Sequence, residues 1–130
     1  MGVDLSGYGG EFRFNWNSWR WILKLAHDYG WKPLGTESIE FVDEKTGEVI
    51  FPKDPRWDGE YFSNNYQRVT NGDALNIAKA LEKALKEIND KPSSNTSEKT
   101  TTLEYWSGKD NKLYIKRFIK YCKAGSFLIG

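Results

Sequence analysis

Phe12-Arg13-Phe14-Asn15-Trp16-Asn17-Ser18-Trp19-Arg20-Trp21-Ile22-Leu23-Lys24-Leu25-Ala26-His27-Asp28-Tyr29-Gly30 is the stretch whose reading decides the fold class. Phe12 and Phe14 alternate around Arg13, the period of a short strand with one apolar face. The period then changes. Trp19, Ile22, Leu23 and Ala26 fall at i, i+3, i+4 and i+7, one stripe of a helix. Asn15 or Asn17 can cap its start, and Gly30 stands where a helix ends on a left-handed residue. Trp21, Leu25 and Tyr29 form a second stripe beside the first. A helix apolar on two sides packs on a sheet and on something else, such as a neighbouring subunit.

Upstream, Gly7-Tyr8-Gly9-Gly10 puts three glycines in four residues and permits positive φ. It lacks the Lys-Ser/Thr ending of a phosphate loop and reads as a turn. Downstream, Pro33 disfavours helix at Lys32, so 31–36 is a loop. Ser38 to Val42 and Glu48 to Phe51 read as strands joined through Asp43-Glu44-Lys45-Thr46-Gly47. Residues 54–69 read as a loop that is aromatic and polar together. A second helix starts at Thr70, three residues before Asp73 in a variant of the capping box. It runs through Ala74, Ile77, Ala78, Leu81, Leu85 and Ile88, with Glu82–Lys86 and Lys83–Glu87 spaced for exposed ion pairs. Asn89 and Pro92 stop it. Residues 91–102 have no large apolar group and are expected to form a mobile polar linker, or a lid. Leu103 to Trp106 reads as a strand. A third helix is expected from Asn111 to Ala124, with Ile115, Phe118, Ile119 and Cys122 buried and Gly125 after it. Phe127-Leu128-Ile129 is a terminal strand. The expectation is one α+β domain over 1–130, three helices packed on a small, mainly antiparallel sheet.

Composition narrows the function. The chain has 130 residues and a net charge of +1, which removes a whole-chain basic field for long nucleic acid or a membrane surface. One Cys and one His exclude a disulfide framework and any metal centre needing two imidazoles. No run approaches the roughly 20 apolar residues of a membrane span, and the N-terminus has no signal-peptide pattern, so a cytoplasmic protein is expected. Charge is uneven. Residues 1–90 carry 11 basic and 15 acidic side chains, and residues 91–130 carry 8 and 3. The basic set Lys109, Lys112, Lys116, Arg117, Lys120 and Lys123 reads as a solvated helix face toward an acidic partner surface, or could hold a phosphate or pair with the acidic half of a second copy.

Six Trp, seven Tyr and seven Phe make 15% of the chain aromatic. A core of this size does not easily hide every indole, and each buried indole needs a partner for its N–H. Some of Trp16, Trp19, Trp21, Trp31, Trp57 and Trp106 are therefore expected at a surface, a pocket or an interface. The loop after Trp57 supplies matching groups: Trp57, Tyr61 and Tyr66 for stacking, Asn64, Asn65 and Gln67 for the edges of bases or sugars, Arg56 and Arg68 for anions. The helix N-terminus at Thr70–Asp73 adds a seat for an anion. Trp57, Tyr61, Asn64, Gln67 and Arg68 are the candidate ligand-binding residues.

Catalytic sets are thinner. His27 reads as a surface histidine that Asp28 cannot orient, Cys122 as a small core residue, and no Gly-x-Ser-x-Gly elbow is present. Asp54, Asp58 and Glu60 near Arg56 could serve as acid–base or metal-holding carboxylates.

Trp19 to Thr36, read as Trp-x-x-Ile-Leu-x-Leu-Ala-x-x-Tyr-Gly-Trp-x-Pro-x-Gly-Thr, resembles a group of small uncharacterised bacterial and phage-type proteins. So do Tyr61-Phe62-Ser63-Asn64 with Gln67 and Val69, Asp73-Ala74 with Ala80-Leu81-Glu82, and the ending from Phe118 to Phe127. The resemblance implies a prokaryotic or phage setting and no catalytic residues. Where such proteins read Asn-Asp-Gly-Gln, this chain has Asn64-Asn65-Tyr66-Gln67, without the acid and the glycine turn. The favoured function is non-catalytic binding without cofactor or metal, most concretely sequestering a nucleotide-like ligand, with self-association expected. The alternatives are a protein-binding inhibitor or immunity-type module anchored by Trp21 or Trp31, and a metal-dependent hydrolase using the loop carboxylates.

Overall fold

The computed structural model describes residues 2–35, 41–42, 44–47, 49–50, 60–62, 67–92 and 100–130. The chain begins with a hairpin. β1 (Gly2–Gly7) and β2 (Gly10–Asn15) pair antiparallel, with Gly7 opposite Gly10 and only Tyr8-Gly9 between them. The glycine-rich segment is thus a turn, as its sequence implies. β1 has no counterpart among the expected strands, because Val3 and Leu5 alone are too short a signal. Their meaning comes from the register, which sets Val3 against Phe14 and Leu5 against Phe12 on one face.

α1 (Trp16–Asp28) follows at once. Asn15 Oδ1 accepts from the Ser18 N–H at 2.7 Å, so Asn15 rather than Asn17 is the cap. Gly30, at φ +101°, continues past the helix end in a conformation that costs L-residues strain. β3 (Phe41–Val42) and β4 (Val49–Ile50) form a separate antiparallel pair with the turn at 44–47.

β5 (Arg68–Val69) leads into α2 (Asn71–Leu85), capped by Thr70 Oγ1 accepting the Asp73 N–H at 3.0 Å. Arg68 and Val69 belong to the sheet rather than to a loop. The segment Leu103–Trp106 is not a strand. Thr101 caps a short helix there, α3 (Thr102–Tyr105), since its hydroxyl accepts the Glu104 N–H at 3.1 Å. Among the described residues, four helices stand where three were expected. α4 (Lys109–Lys123) starts two residues earlier than its apolar stripe suggests, and β6 (Phe127–Ile129) ends the fold. Residues 93–99 of the expected linker lie outside the described residues.

The main sheet is antiparallel with order β2-β1-β6-β5, so the C-terminal strand sits between the N-terminal strand and β5. Its inner face carries Val3, Leu5, Phe14, Val69, Phe127 and Ile129, all buried under the helices. Phe118 of α4 is the centre of that packing. Its ring lies 4.9 Å from Phe14, 5.4 Å from Phe12 and 6.1 Å from Trp19. On the opposite face Asp4, Ser6, Glu11 and Arg13 are exposed, and Arg68 and Leu128 are half-buried.

The second apolar stripe of α1 is covered from within the chain. Tyr105 of α3 stacks on Trp21 at 4.6 Å and 6°, its hydroxyl meets Ser18 Oγ at 2.9 Å, and Thr102 donates to Asp28 at 2.6 Å. Trp21 of that stripe is left half-buried. The uneven charge also meets itself. Lys123 pairs with Glu82 at 2.7 Å and Lys112 with Asp90 at 2.8 Å, while Glu87 takes the Tyr29 hydroxyl. Lys112, helped by Lys109 and Lys116, holds Asp90 below the ordinary carboxylate range. Glu82 and Glu87 thus face other elements, rather than the i+4 lysines of their own helix.

Gly7 is where β6 comes closest. A Cβ there would stand 2.3 Å from the Ser126 carbonyl oxygen and 2.7 Å from Phe127 Cα, both backbone atoms that cannot swing aside. Gly7→Ala is expected to cost about 2–3 kcal/mol, the scale of overpacking. Urea unfolding checks this. An unchanged midpoint would show that β6 shifts freely away from β1.

Candidate functional site

The densest polar arrangement is built around Asp73. Its backbone N–H is used by the Thr70 cap, but its carboxylate does not complete the capping box. It turns inward, is fully buried, and collects donors from two other parts of the chain. Leu34 N–H lies 2.9 and 3.0 Å from the two oxygens, Gly35 N–H 3.1 Å away, Tyr61 hydroxyl 2.7 Å and Trp31 Nε1 3.3 Å. Tyr61 in turn accepts the Trp19 indole N–H on its carbonyl at 2.7 Å. One carboxylate thereby ties the loop after α1, residue 61 and the start of α2 together. Burial first, then the bond to Asp73, pushes the Tyr61 phenol well above its ordinary value.

This arrangement bears on the residues singled out in the sequence. Tyr61 and Gln67 are both fully buried on the core side. Arg68 is on the opposite face of the sheet, half-buried, where its guanidinium reaches Ser126 Oγ at 3.4 Å. Strand alternation forces that separation, because residues 67 and 68 must point to opposite faces. Trp57 and Asn64 lie outside the described residues, as do Arg56, Asn65 and Tyr66. At the expected anion seat, the Asp73 N–H is taken by Thr70 Oγ1 and the Ala74 N–H by the Thr70 carbonyl.

The acid–base candidates fall as follows. His27 Nε2 stands 3.3 Å from Glu60, both half-exposed, with the imidazole 4.6 Å from the Trp31 ring. Cys122 is buried, and burial pushes its thiol well above the ordinary range, away from a nucleophile's needs. Asp54 and Asp58 lie outside the described residues. Among the described residues, no three His, Cys, Asp or Glu side chains are grouped to hold a metal ion.

The indoles divide. Trp19, Trp31 and Trp106 are buried, and Trp16 and Trp21 are half-buried. Trp31 is therefore a structural donor to Asp73 and no interface anchor. Trp16 and Trp21 stand on the two shoulders of the exposed face of α1, and two cations lie between them. The Arg20 guanidinium sits 5.8 Å from the Trp16 ring and 5.5 Å from Phe62, and Lys24 Nζ sits 5.1 Å from the Trp21 ring. With Tyr105 behind Trp21, this makes a ridge of half-covered rings topped by positive charge. Neither Arg20 nor Lys24 is among the residues singled out from the sequence. Their only local signal is the i, i+4 spacing of Trp16 and Arg20 and the i, i+3 spacing of Trp21 and Lys24.

No family model matches the chain, and no curated protein or solved structure is found to be similar to it. No helix among the described residues is long and apolar enough to cross a membrane.

Proposed function

We propose that this protein is a non-catalytic binding module whose contact surface is the exposed face of α1, and that its partner is a protein presenting acidic side chains. The observation that carries the reading is the pairing of two half-buried indoles with Arg20 and Lys24 on one ridge. Trp, Tyr and Arg are the residue types that dominate binding energy at protein interfaces, and rings already half-ordered lose little entropy on contact. The cations set the charge of the partner. The resemblance to small bacterial and phage-type proteins supports a prokaryotic or phage setting. Nucleotide sequestration by the 57–68 loop loses ground to this reading, since Tyr61 and Gln67 point to the core and Arg68 across the sheet.

Selection of displayed peptides on the purified protein tests the proposal. The expected binders are rich in Asp or Glu with a central apolar residue. Arg20→Glu and Lys24→Glu are expected to weaken them at least tenfold, about 1.4 kcal/mol, and Trp21→Ala by as much or more. Lys120→Glu, on another surface, leaves affinity unchanged. Binders indifferent to Arg20 and Trp21 would remove the α1 surface from consideration. A thermal shift with a mono-, di- or cyclic nucleotide would return the function to a small ligand.

A further inference from the structure

Strand β2 is an edge of the main sheet, and among the described residues its outward side is largely bare. The direction of its backbone groups follows from its neighbour. Asp4 exchanges both its backbone bonds with Gly130, at 3.0 and 2.7 Å, so its N–H and C=O point toward β6. Asp4 stands opposite Arg13. Antiparallel ladders alternate, so the N–H and C=O of Arg13 point away from β1, and those of Glu11 do the same. The Tyr114 hydroxyl, which donates to the Arg13 carbonyl from α4, agrees with that direction. Tyr121 similarly covers the Gly10 carbonyl at 3.0 Å. Among the described residues, the Glu11 N–H and C=O and the Arg13 N–H have no protein partner. A bare edge of this length is a template for another strand.

We propose that two copies of this chain pair antiparallel along β2, about a two-fold axis at Phe12, and join their sheets into one. Residues with outward backbone groups must meet each other, and three of the registers this allows centre on Glu11, Phe12 or Arg13. Glu11 opposite Glu11 of the second copy and Arg13 opposite Arg13 of the second copy both set like charges face to face. The register centred on Phe12 sets Glu11 opposite Arg13 of the second copy, and Arg13 opposite its Glu11. Both pairs lie on the solvent face, where directly opposed side chains are close enough to interact. The edge is thus self-complementary in charge in only one of these three registers. The Tyr114 hydroxyl does not forbid it, because a carbonyl oxygen accepts two bonds. The contact is isologous and closes at two copies. It is separate from the α1 surface.

Sedimentation equilibrium tests the proposal. The unaltered chain is expected to dimerise, and Glu11→Arg alone to weaken dimerisation at least tenfold. Arg13→Glu would meet Asp4, its present partner at 3.4 Å, so it is made together with Asp4→Lys, which keeps an opposite-charge pair within the chain. This second variant is expected to show the same weakening. Mixing the two variants is expected to give a heterodimer. The first is positive at positions 11 and 13 and the second is negative at both, so each charge meets its opposite across the contact. Circular dichroism of each variant establishes that it is folded. An unaltered chain that stays monomeric, variants that self-associate as tightly as the unaltered chain, or a mixture that associates no better than either variant alone would each overturn the pairing.

Discussion

Asp73→Ala is expected to destabilise the protein by about 3–5 kcal/mol, a large part of the total for a domain of this size. The carboxylate is fully buried and accepts from Trp31, Leu34, Gly35 and Tyr61. Alanine removes the acceptor and leaves the four donors where water does not reach them freely. Each stranded buried group costs about 1–3 kcal/mol, and partial relaxation of residues 31–35 keeps the total below the sum. Asp73→Asn keeps the shape but turns an amide N–H₂ toward donors, so it is expected to recover little. Tyr61→Phe removes one donor and keeps the ring, and is expected to cost about 1–2 kcal/mol. The double variant should cost less than the two singles together, because both act through one bond. Urea unfolding of the set measures all of this. A loss under about 1 kcal/mol for Asp73→Ala would mean that the loop after α1 does not depend on this carboxylate.

Alkaline solution is expected to destabilise the protein steadily above about pH 10. Tyr61 is held neutral far above its ordinary value near 10 by burial and then by Asp73. Tyr121 is pushed up to about 12 by burial and then by the charges of Cys122 and Glu11. Tyr29 is also pushed up to about 12, first by its bond to Glu87. Burial raises Tyr114 as well, and the Cys122 thiol above its ordinary value near 9. In the unfolded chain these groups ionise at their ordinary values. Their contribution is therefore complete below about pH 9 and falls as pH rises, because the unfolded state then binds fewer protons. Tyr61 alone accounts for about 1.4 kcal/mol per pH unit above 10. The half-exposed Tyr29 and Tyr114 contribute less. Urea midpoints at about pH 8, 10 and 11 give the slope, and Tyr61→Phe is expected to flatten it above about pH 10. A stability that stays level across that range would contradict the buried, bonded placement of these phenols.

Much of the local structure is written in the sequence. Asn15, Gly30 and Thr70 mark helix ends by short-range chemistry that depends on nothing distant. The stripes Trp19–Ile22–Leu23–Ala26 and Ile115–Phe118–Ile119–Cys122 are buried as their spacing requires. Other signals point the wrong way. Leu103 and Trp106 suggest a strand, yet the Thr101 cap and the Trp21–Tyr105 stack make that segment helical. The three-residue spacing of Thr70 and Asp73 suggests a capping box, yet the Asp73 carboxylate faces residues 34 and 35 instead.

What the sequence determined without help is the order of most elements, the α+β class and the excess of aromatic rings, because each follows from neighbours within about one helical turn or one strand. What only the tertiary structure decided is which rings stay half-open, where Asp73 finds its donors, and that Arg68 and Val69 join the main sheet beside β6. Those outcomes depend on contacts between segments far apart in the chain, for which no local period exists.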